Sequence, residues 1–88
     1  MFKNLNNLNN LIGLPEETVL DVVKITVIGK SSIHLENYGR LLVYTEDEIM
    51  VKTSDGVLKI VGNGLKIEAI DKNFIEIKGC FLCISYEN

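Results

Sequence analysis

The sequence predicts an all-β domain, an antiparallel meander of about seven or eight short strands that forms a small sandwich or an open barrel. Three observations support this prediction. Apolar positions recur every eight residues, at Ile25, Ile33, Leu41, Ile49, Val57 and Leu65. Apolar and polar residues alternate within each segment, and turn-forming residues separate the segments. Short strands at such regular spacing are typical of all-β folds. A short solenoid is the alternative, disfavoured because the predicted hairpins return the chain immediately.

The size and composition are those of one small folded domain. The chain has 88 residues, of which 47% are hydrophobic and 24% charged, which argues against disorder. A net charge of -3 disfavours nucleic-acid binding, because phosphate contacts need a basic face. The sequence contains neither an apolar run long enough to span a membrane nor a secretory signal pattern. We therefore expect a cytoplasmic protein with reduced cysteines and no direct membrane insertion.

The N-terminal residues differ from the rest of the chain. Residues 1–13 are rich in asparagine, with Leu5, Leu8 and Ile12 at helical spacing. This segment is either a short amphipathic helix or a disordered tail, and a helix would offer a leucine stripe for docking. Residues 14–88 are predicted to form the single β domain. At its start, Pro15 suits a helical turn, whereas the β-branched residues of 18–23 suit an edge strand equally well.

The turn residues predict how the strands pair. Asp55-Gly56 and Asn63-Gly64 are favoured centres of two-residue hairpins, because both positions of such a turn need positive φ. These two hairpins would place Val51 and Ile67 opposite Ile60. A one-residue slip in either hairpin would mix the two faces of the sheet.

A third hairpin is predicted around a three-residue loop at 71–73. Its register opposes Glu68 with Glu76 and Lys66 with Lys78, and these like charges disfavour it. A longer loop would relieve the repulsion and shorten the strand, and both versions keep the same residues on the core face. The predicted core face consists of Ile49, Val51, Leu58, Ile60, Leu65, Ile67, Ala69, Ile75 and Ile77.

The opposite face of the predicted sheet carries apolar residues where a solvated face would be polar. These residues are Met50, Val57, Val61, Ile70 and Phe74. In the predicted register, Met50 lies opposite Val61, and Val57 lies opposite Ile70. We expect this patch to be an interface, covered either by the N-terminal segment or by another subunit of a homo-oligomer.

No group of residues in the sequence predicts catalysis, a metal site or a cofactor. Cys80 and Cys83 fall in a predicted strand, where residues three apart point to opposite faces, so a disulfide would require a bulge between them. We expect both to be small buried apolar side chains. His34 alternates with apolar neighbours and is expected to be an ordinary surface histidine. The acidic run 46–48 and Glu36 lack the spacing of a calcium loop and predict a solvated turn.

Several segments together resemble a known family. They are Leu14-Pro15-Glu16, Val19-Leu20-Asp21, Ile25-Thr26-Val27-Ile28-Gly29, Ile33-His34-Leu35-Glu36-Asn37-Tyr38-Gly39, Gly56-Val57-Leu58-Lys59-Ile60-Val61-Gly62 and Leu65-Lys66-Ile67. In this order they resemble the YabP/YqfC family of sporulation proteins, from residue 14 to about residue 84. The chain departs from the family pattern at Val22-Val23, where a proline is expected, and in the strand with the two cysteines.

The resemblance implies a protein made in the mother cell of an endospore-forming bacterium. It also implies a protein partner, a neighbouring membrane protein of the YqfD type, and supplies no catalytic residues. The predicted function is therefore a non-enzymatic binding or assembly module of sporulation, held at the forespore membrane through its partner. The alternatives are a regulatory domain that binds a small ligand or a peptide, and a self-assembling component of a coat-like structure.

Overall fold

The computed structural model describes residues 22–87, and within this range the chain forms only strands, turns and irregular segments. The strands are β1 (Lys24–Ile28), β2 (Ser32–Glu36), β3 (Arg40–Tyr44), β4 (Glu48–Thr53), β5 (Gly56–Ile70) and β6 (Phe74–Glu87). The predicted all-β class is confirmed. The expectations for the asparagine-rich segment 1–13, and for a helical turn or edge strand before residue 22, lie outside the described residues.

The six strands form one antiparallel sheet in the order β1-β2-β6-β5-β4-β3. β5 and β6 have 15 and 14 residues and form a long central hairpin. β4 pairs with the first part of β5, whereas β2 pairs with the first part of β6. The sheet therefore has two halves. Half A contains β3, β4, residues 56–61 of β5 and 83–87 of β6, and half B contains β1, β2, residues 66–70 of β5 and 74–78 of β6.

The two halves meet where the long strands are irregular. The β5–β6 ladder shifts register between Val61 and Gly62 and again between Asn63 and Lys66. The turns of the two shorter hairpins are attached at the same place. The Gly62 amide donates to the carbonyl of Asp47 at 3.0 Å, and the Gly79 amide donates to that of Ser31 at 3.2 Å. These contacts hold each short hairpin against the irregular part of a long strand.

A single hydrophobic core joins the two halves. Its largest fully buried side chains come in equal numbers from half A and half B: Ile49, Val51, Leu58 and Ile60, and Ile33, Leu35, Ile75 and Ile77. Tyr38, in the segment that crosses between the halves, is buried, and its hydroxyl donates to the carbonyl of Asp71 at 2.7 Å. The protein is thus one open sheet folded around a shared core.

The structure corrects the predicted hairpin at Asn63-Gly64. Both residues lie inside the continuous strand β5, with Gly64 at φ 62°, and Ile60 pairs with Ile49 and Ile84 rather than Ile67. This continuous strand is one reason why there are six described strands rather than seven or eight. A left-handed glycine suits an irregular strand as well as a turn, so the pair Asn63-Gly64 does not distinguish a hairpin from a continuous strand.

The hairpin predicted at Asp55-Gly56 exists, but its register differs by two residues. Thr53 pairs with Gly56, so Ser54 and Asp55 form the turn and Val51 pairs with Leu58. A shift of two residues keeps every side chain on its predicted face. For this reason the buried set of β4 and the first part of β5 agrees with the sequence analysis.

The β5–β6 turn shows how the predicted charge repulsion is relieved. Lys66 pairs with Lys78 as predicted, but a register shift removes Glu68 from the ladder, so that Ala69 pairs with Glu76. The shift also changes which face the following residues occupy. Ala69 is consequently exposed rather than part of the core, and Ile67 is partly buried.

Candidate interaction surfaces

His34 lies at the centre of a polar cluster on the outer face of half B. Its Nδ1 is 3.0 Å from Oε1 of Glu76 on β6, and its Nε2 is 3.3 Å from Oε2 of Glu36. Its ring stacks on Phe74, with ring centroids 5.2 Å apart. His34 faces away from Ile33 and Leu35, as expected, but its hydrogen-bond and stacking partners were not expected from the sequence. Adjacent strands bring partners from residues 74 and 76 that no local sequence pattern connects to His34.

Glu76 extends this cluster along the strands. The hydroxyl of Ser32 lies 3.4 Å from Oε2 of Glu76, and the ammonium of Lys78 donates to that hydroxyl at 3.3 Å. The hydrogen bond from His34 is the main cause that lowers the pKa of the Glu76 carboxyl below its ordinary value. These groups satisfy one another, and their mutual hydrogen bonds order the outer face of half B.

Three of the five residues predicted at an interface lie together on the outer face of half A. Met50, Val57 and Val61 are all partly buried. Each pairs with a charged residue on a neighbouring strand: Met50 with Lys59, Val57 with Lys52 and Val61 with Glu48. The predicted pairing of Met50 with Val61 is therefore wrong, because the first hairpin turns at Ser54-Asp55 rather than at Asp55-Gly56. The predicted pairing of Val57 with Ile70 is wrong because it requires a hairpin at 63–64.

The other two predicted residues lie elsewhere. Phe74 is on the outer face of half B against His34. Ile70 pairs with Ile75, which places it on the inner side of half B, where it is 49% exposed at the end of β5. The five residues do not form one continuous patch, because the irregular centre of the long hairpin separates the two halves.

Sequence reasoning missed one member of this surface and two exposed apolar residues near it. Val43 pairs with Met50 and shares its face. We refer to Val43, Met50, Val57 and Val61 as the apolar surface. Leu42 and Leu82 are left out of their ladders by register shifts and are 41% and 62% exposed. At such bulges successive side chains no longer alternate between the two faces of the sheet, and nothing else in the sequence marks where a bulge occurs.

The two cysteines differ from their predicted environment. Both thiols are free and exposed, not buried. Cys80 pairs with Asn63 and Cys83 pairs with Val61, so Phe81 and Leu82 together face the single residue Gly62. This bulge places both cysteines on the same outer face, whereas a regular strand would separate them.

An open depression lies beside the irregular part of β5. It is lined by Tyr44, Glu46, Gly64, Leu65 and Lys66. The Tyr44 hydroxyl accepts a hydrogen bond from the Ile67 amide at 2.9 Å, which links the edge strand β3 to the last part of β5.

The acidic run 46–48 and Glu36 do not gather into a cation site. Glu48 of the run 46–48 instead forms an ion pair with Lys59 at 3.4 Å, and Glu36 contacts His34. Within residues 22–87, no three histidine, cysteine or acidic side chains are placed to hold a metal ion. The same residues include no helix long and apolar enough to cross a bilayer.

Comparison with known proteins identifies the family. Residues 20–88 match the model of the YabP family. The chain belongs to the YabP family. It is also 28% identical over 79 residues to the uncharacterized protein YqfC of Bacillus subtilis (strain 168), a match that covers 90% of this chain and 85% of that protein. The family resemblance found in the sequence is confirmed.

The matched range of this YabP family chain includes all six strands and both halves of the sheet. The His34 cluster, the apolar surface and the two cysteines therefore all lie within the residues that match the family model.

Proposed function

We propose that this YabP family member is a non-enzymatic sporulation protein that acts as a small binding or assembly module in the mother cell. It docks onto a membrane-bound partner and is held at the forespore membrane through that partner. Family membership supports the role in sporulation. The resemblance to the YabP/YqfC family supports a neighbouring membrane protein of the YqfD type as the partner.

The apolar surface is the observation that carries this proposal. A solvated face of an antiparallel sheet is normally polar, but here Val43 and Met50 adjoin on neighbouring strands, with Val57 and Val61 on the next strand. A partner that covers these side chains removes apolar area from water, worth roughly 25 cal/mol for each Å². The charged residues between them orient the partner and set its on-rate.

The charged groups around the apolar surface support recognition of a protein. Lys59 forms ion pairs with Glu48 at 3.4 Å and with Glu87 at 4.0 Å, from both neighbouring strands. Apolar residues surrounded by a polar rim are the usual composition of a protein interface. The ionisable groups of the His34 cluster on half B, by contrast, are engaged with one another, which supports a structural role for them.

The experiment that tests the proposal changes the apolar surface without disturbing the core. We expect Met50→Lys and Val61→Lys to keep the fold, because both side chains are partly exposed, and to weaken partner capture by about 30-fold or more, the equivalent of about 2 kcal/mol. Thr26→Lys, an exposed position of half B, is the matched control. Binding would be measured by pull-down with the YqfD-type protein, mass by light scattering and stability by urea unfolding. Unchanged binding in both variants contradicts this assignment of the interface.

A fluorescent fusion in sporulating cells tests the proposed location. We expect the signal to gather at the forespore boundary only when the YqfD-type protein is present. A diffuse signal in both strains would contradict membrane docking. Large polymers in electron micrographs of the purified protein would instead favour a coat-like component.

A further inference from the structure

The positions of Cys80 and Cys83 on β6 limit what their thiols can bond to. They pair with Asn63 and Val61, which are two residues apart on β5, so the two side chains share one face and their Cα atoms lie at the spacing of alternate strand residues, about 7 Å. A disulfide needs Cβ atoms about 3.5–4.5 Å apart, so this backbone geometry disfavours one. A metal ion suits the spacing better, because two metal–sulfur bonds of about 2.3 Å each lie between the sulfurs.

The chain alone supplies too few ligands for a closed thiolate site. A structural zinc ion takes four ligands, and the whole sequence contains two cysteines and one histidine. Both ring nitrogens of that histidine, His34, face glutamate carboxylates on half B. We propose that Cys80 and Cys83 bind a zinc-type divalent ion together with the same two thiols of a second copy of this chain. The ion thereby joins two chains.

The surroundings of the thiols fit such a shared site. Val61 pairs with Cys83, shares its face and is partly buried, so a second copy would cover an apolar side chain next to the ion.

Binding at this site involves no oxidation. Each of the four thiols loses its proton to the buffer and forms one sulfur–metal bond, so metal affinity rises with pH. Removing one ligand is expected to weaken affinity by more than the 10–100-fold typical of losing an outer-shell group.

The test is a titration of the full chain, kept reduced, with Co²⁺ and then Zn²⁺. We expect thiolate-to-cobalt absorption that saturates at one ion per two chains, its loss when Zn²⁺ is added, and a doubling of mass by light scattering. Cys80→Ser and Cys83→Ser should each abolish the absorption and the doubling. Both thiols are exposed, so these variants should retain the wild-type urea unfolding curve.

Three results would overturn the proposal. Absorption that saturates at one ion per chain without a change of mass means that the site is not shared. Metal-dependent doubling that persists in Cys80→Ser/Cys83→Ser means that other groups join the chains. An absence of thiolate bands in the wild-type chain rules out the site. His34→Asn is the control that shows His34 is not a metal ligand, and its cobalt spectrum should match that of the wild type.

Discussion

The side chain of Glu76 adds polar contacts between β6 and β2, two strands of half B that already pair through their backbones. Its carboxylate lies 3.0 Å from Nδ1 of His34 and 3.4 Å from the hydroxyl of Ser32, both on β2. The Phe74 ring covers one side of the imidazole, which limits the orientations open to His34. At the scale of single residues, this pair is the clearest link between ionisation and stability in the described part of the chain.

The lowered pKa of Glu76 leads to a prediction with a definite sign. The hydrogen bond from His34 holds this pKa below its ordinary value of 4.5. At acid pH the unfolded chain therefore binds more protons at this group than the folded chain does. The stabilisation is fully present above the unfolded pKa and is lost as pH falls through the folded pKa. We expect Glu76→Gln to be less stable than the wild type at about pH 7, with a difference that shrinks below about pH 4.

Urea unfolding of both proteins across this pH range measures the difference directly. His34→Asn provides the second variant. When Glu76→Gln is added to His34→Asn, the change in unfolding free energy should depend less on pH, because the hydrogen bond from His34 is already absent. A difference between Glu76→Gln and wild type that stays constant from neutral to acid pH would contradict the assigned cause.

Single residues also show what the sequence could and could not predict. Residues such as Ile49, Val51, Ile75 and Ile77 were predicted in the core, and all are fully buried. Alternation predicts them correctly because a regular strand sends every second side chain to the same face. Ala69 was misassigned because Glu68 leaves the ladder just before it. The same kind of irregularity at Leu82 places Cys80 and Cys83 on one face, so the candidate metal site could not be predicted from alternation.

At the scale of elements, the long strand β5 is the feature that local sequence describes least well. Its centre, Gly62-Asn63-Gly64, has the composition of a tight turn. A hairpin turn and an irregular strand both require a positive φ at Gly64. Which of the two forms depends on hydrogen-bond partners that are distant in the sequence. The carbonyls of Glu46 and Asp47 supply these partners by accepting the amides of Leu65 and Gly62.

The two glycines at this centre are predicted to differ in their tolerance of substitution. A Cβ on Gly62 would meet the carbonyl oxygen of Cys80 and approach the Leu65 side chain to 2.9 Å, whereas nothing lies within 4 Å of one on Gly64. We expect Gly62→Ala to cost about 1–3 kcal/mol or more through overpacking against fixed backbone. Gly64→Ala should cost about 1–2 kcal/mol from its left-handed φ alone, and Gly64→Asn less.

Urea unfolding midpoints of the three variants would test this order. The comparison of Gly64→Ala with Gly64→Asn isolates the backbone conformation, because both add a side chain into open space. If Gly62→Ala proves no more destabilising than Gly64→Ala, β5 and β6 are not in close contact at this point.

At the scale of the whole molecule, the two halves follow the same plan. In each half a short hairpin pairs with the first part of a long strand, and its turn attaches to the irregular part of that strand. Each half contributes one wall of the shared core. Neither half has a core of its own, so we expect them to unfold as one cooperative unit.

Tyr44 provides a direct test of how the halves are held together. Its hydroxyl accepts the Ile67 amide at 2.9 Å and so joins β3 of half A to the part of β5 in half B. Tyr44→Phe removes this acceptor and keeps the ring. We expect a loss of about 0.5–1 kcal/mol, because the exposed amide regains a bond to water. Hydrogen exchange at the Ile67 amide should become faster, whereas exchange at Ile60 should change only with global stability.

Tyr86→Phe is the matched control for Tyr44→Phe. Tyr86 is similarly exposed, at 45% against 47%, but its hydroxyl makes no hydrogen bond to the described residues. In Tyr86→Phe, hydrogen exchange at the Ile67 amide should keep its wild-type rate, as measured by NMR on the full chain. If the Ile67 amide keeps its wild-type rate in Tyr44→Phe, that amide is protected by something other than the tyrosine. The link between the halves would then rest on the core, the long hairpin and the crossing segment that contains Tyr38, and not on the Tyr44 hydroxyl.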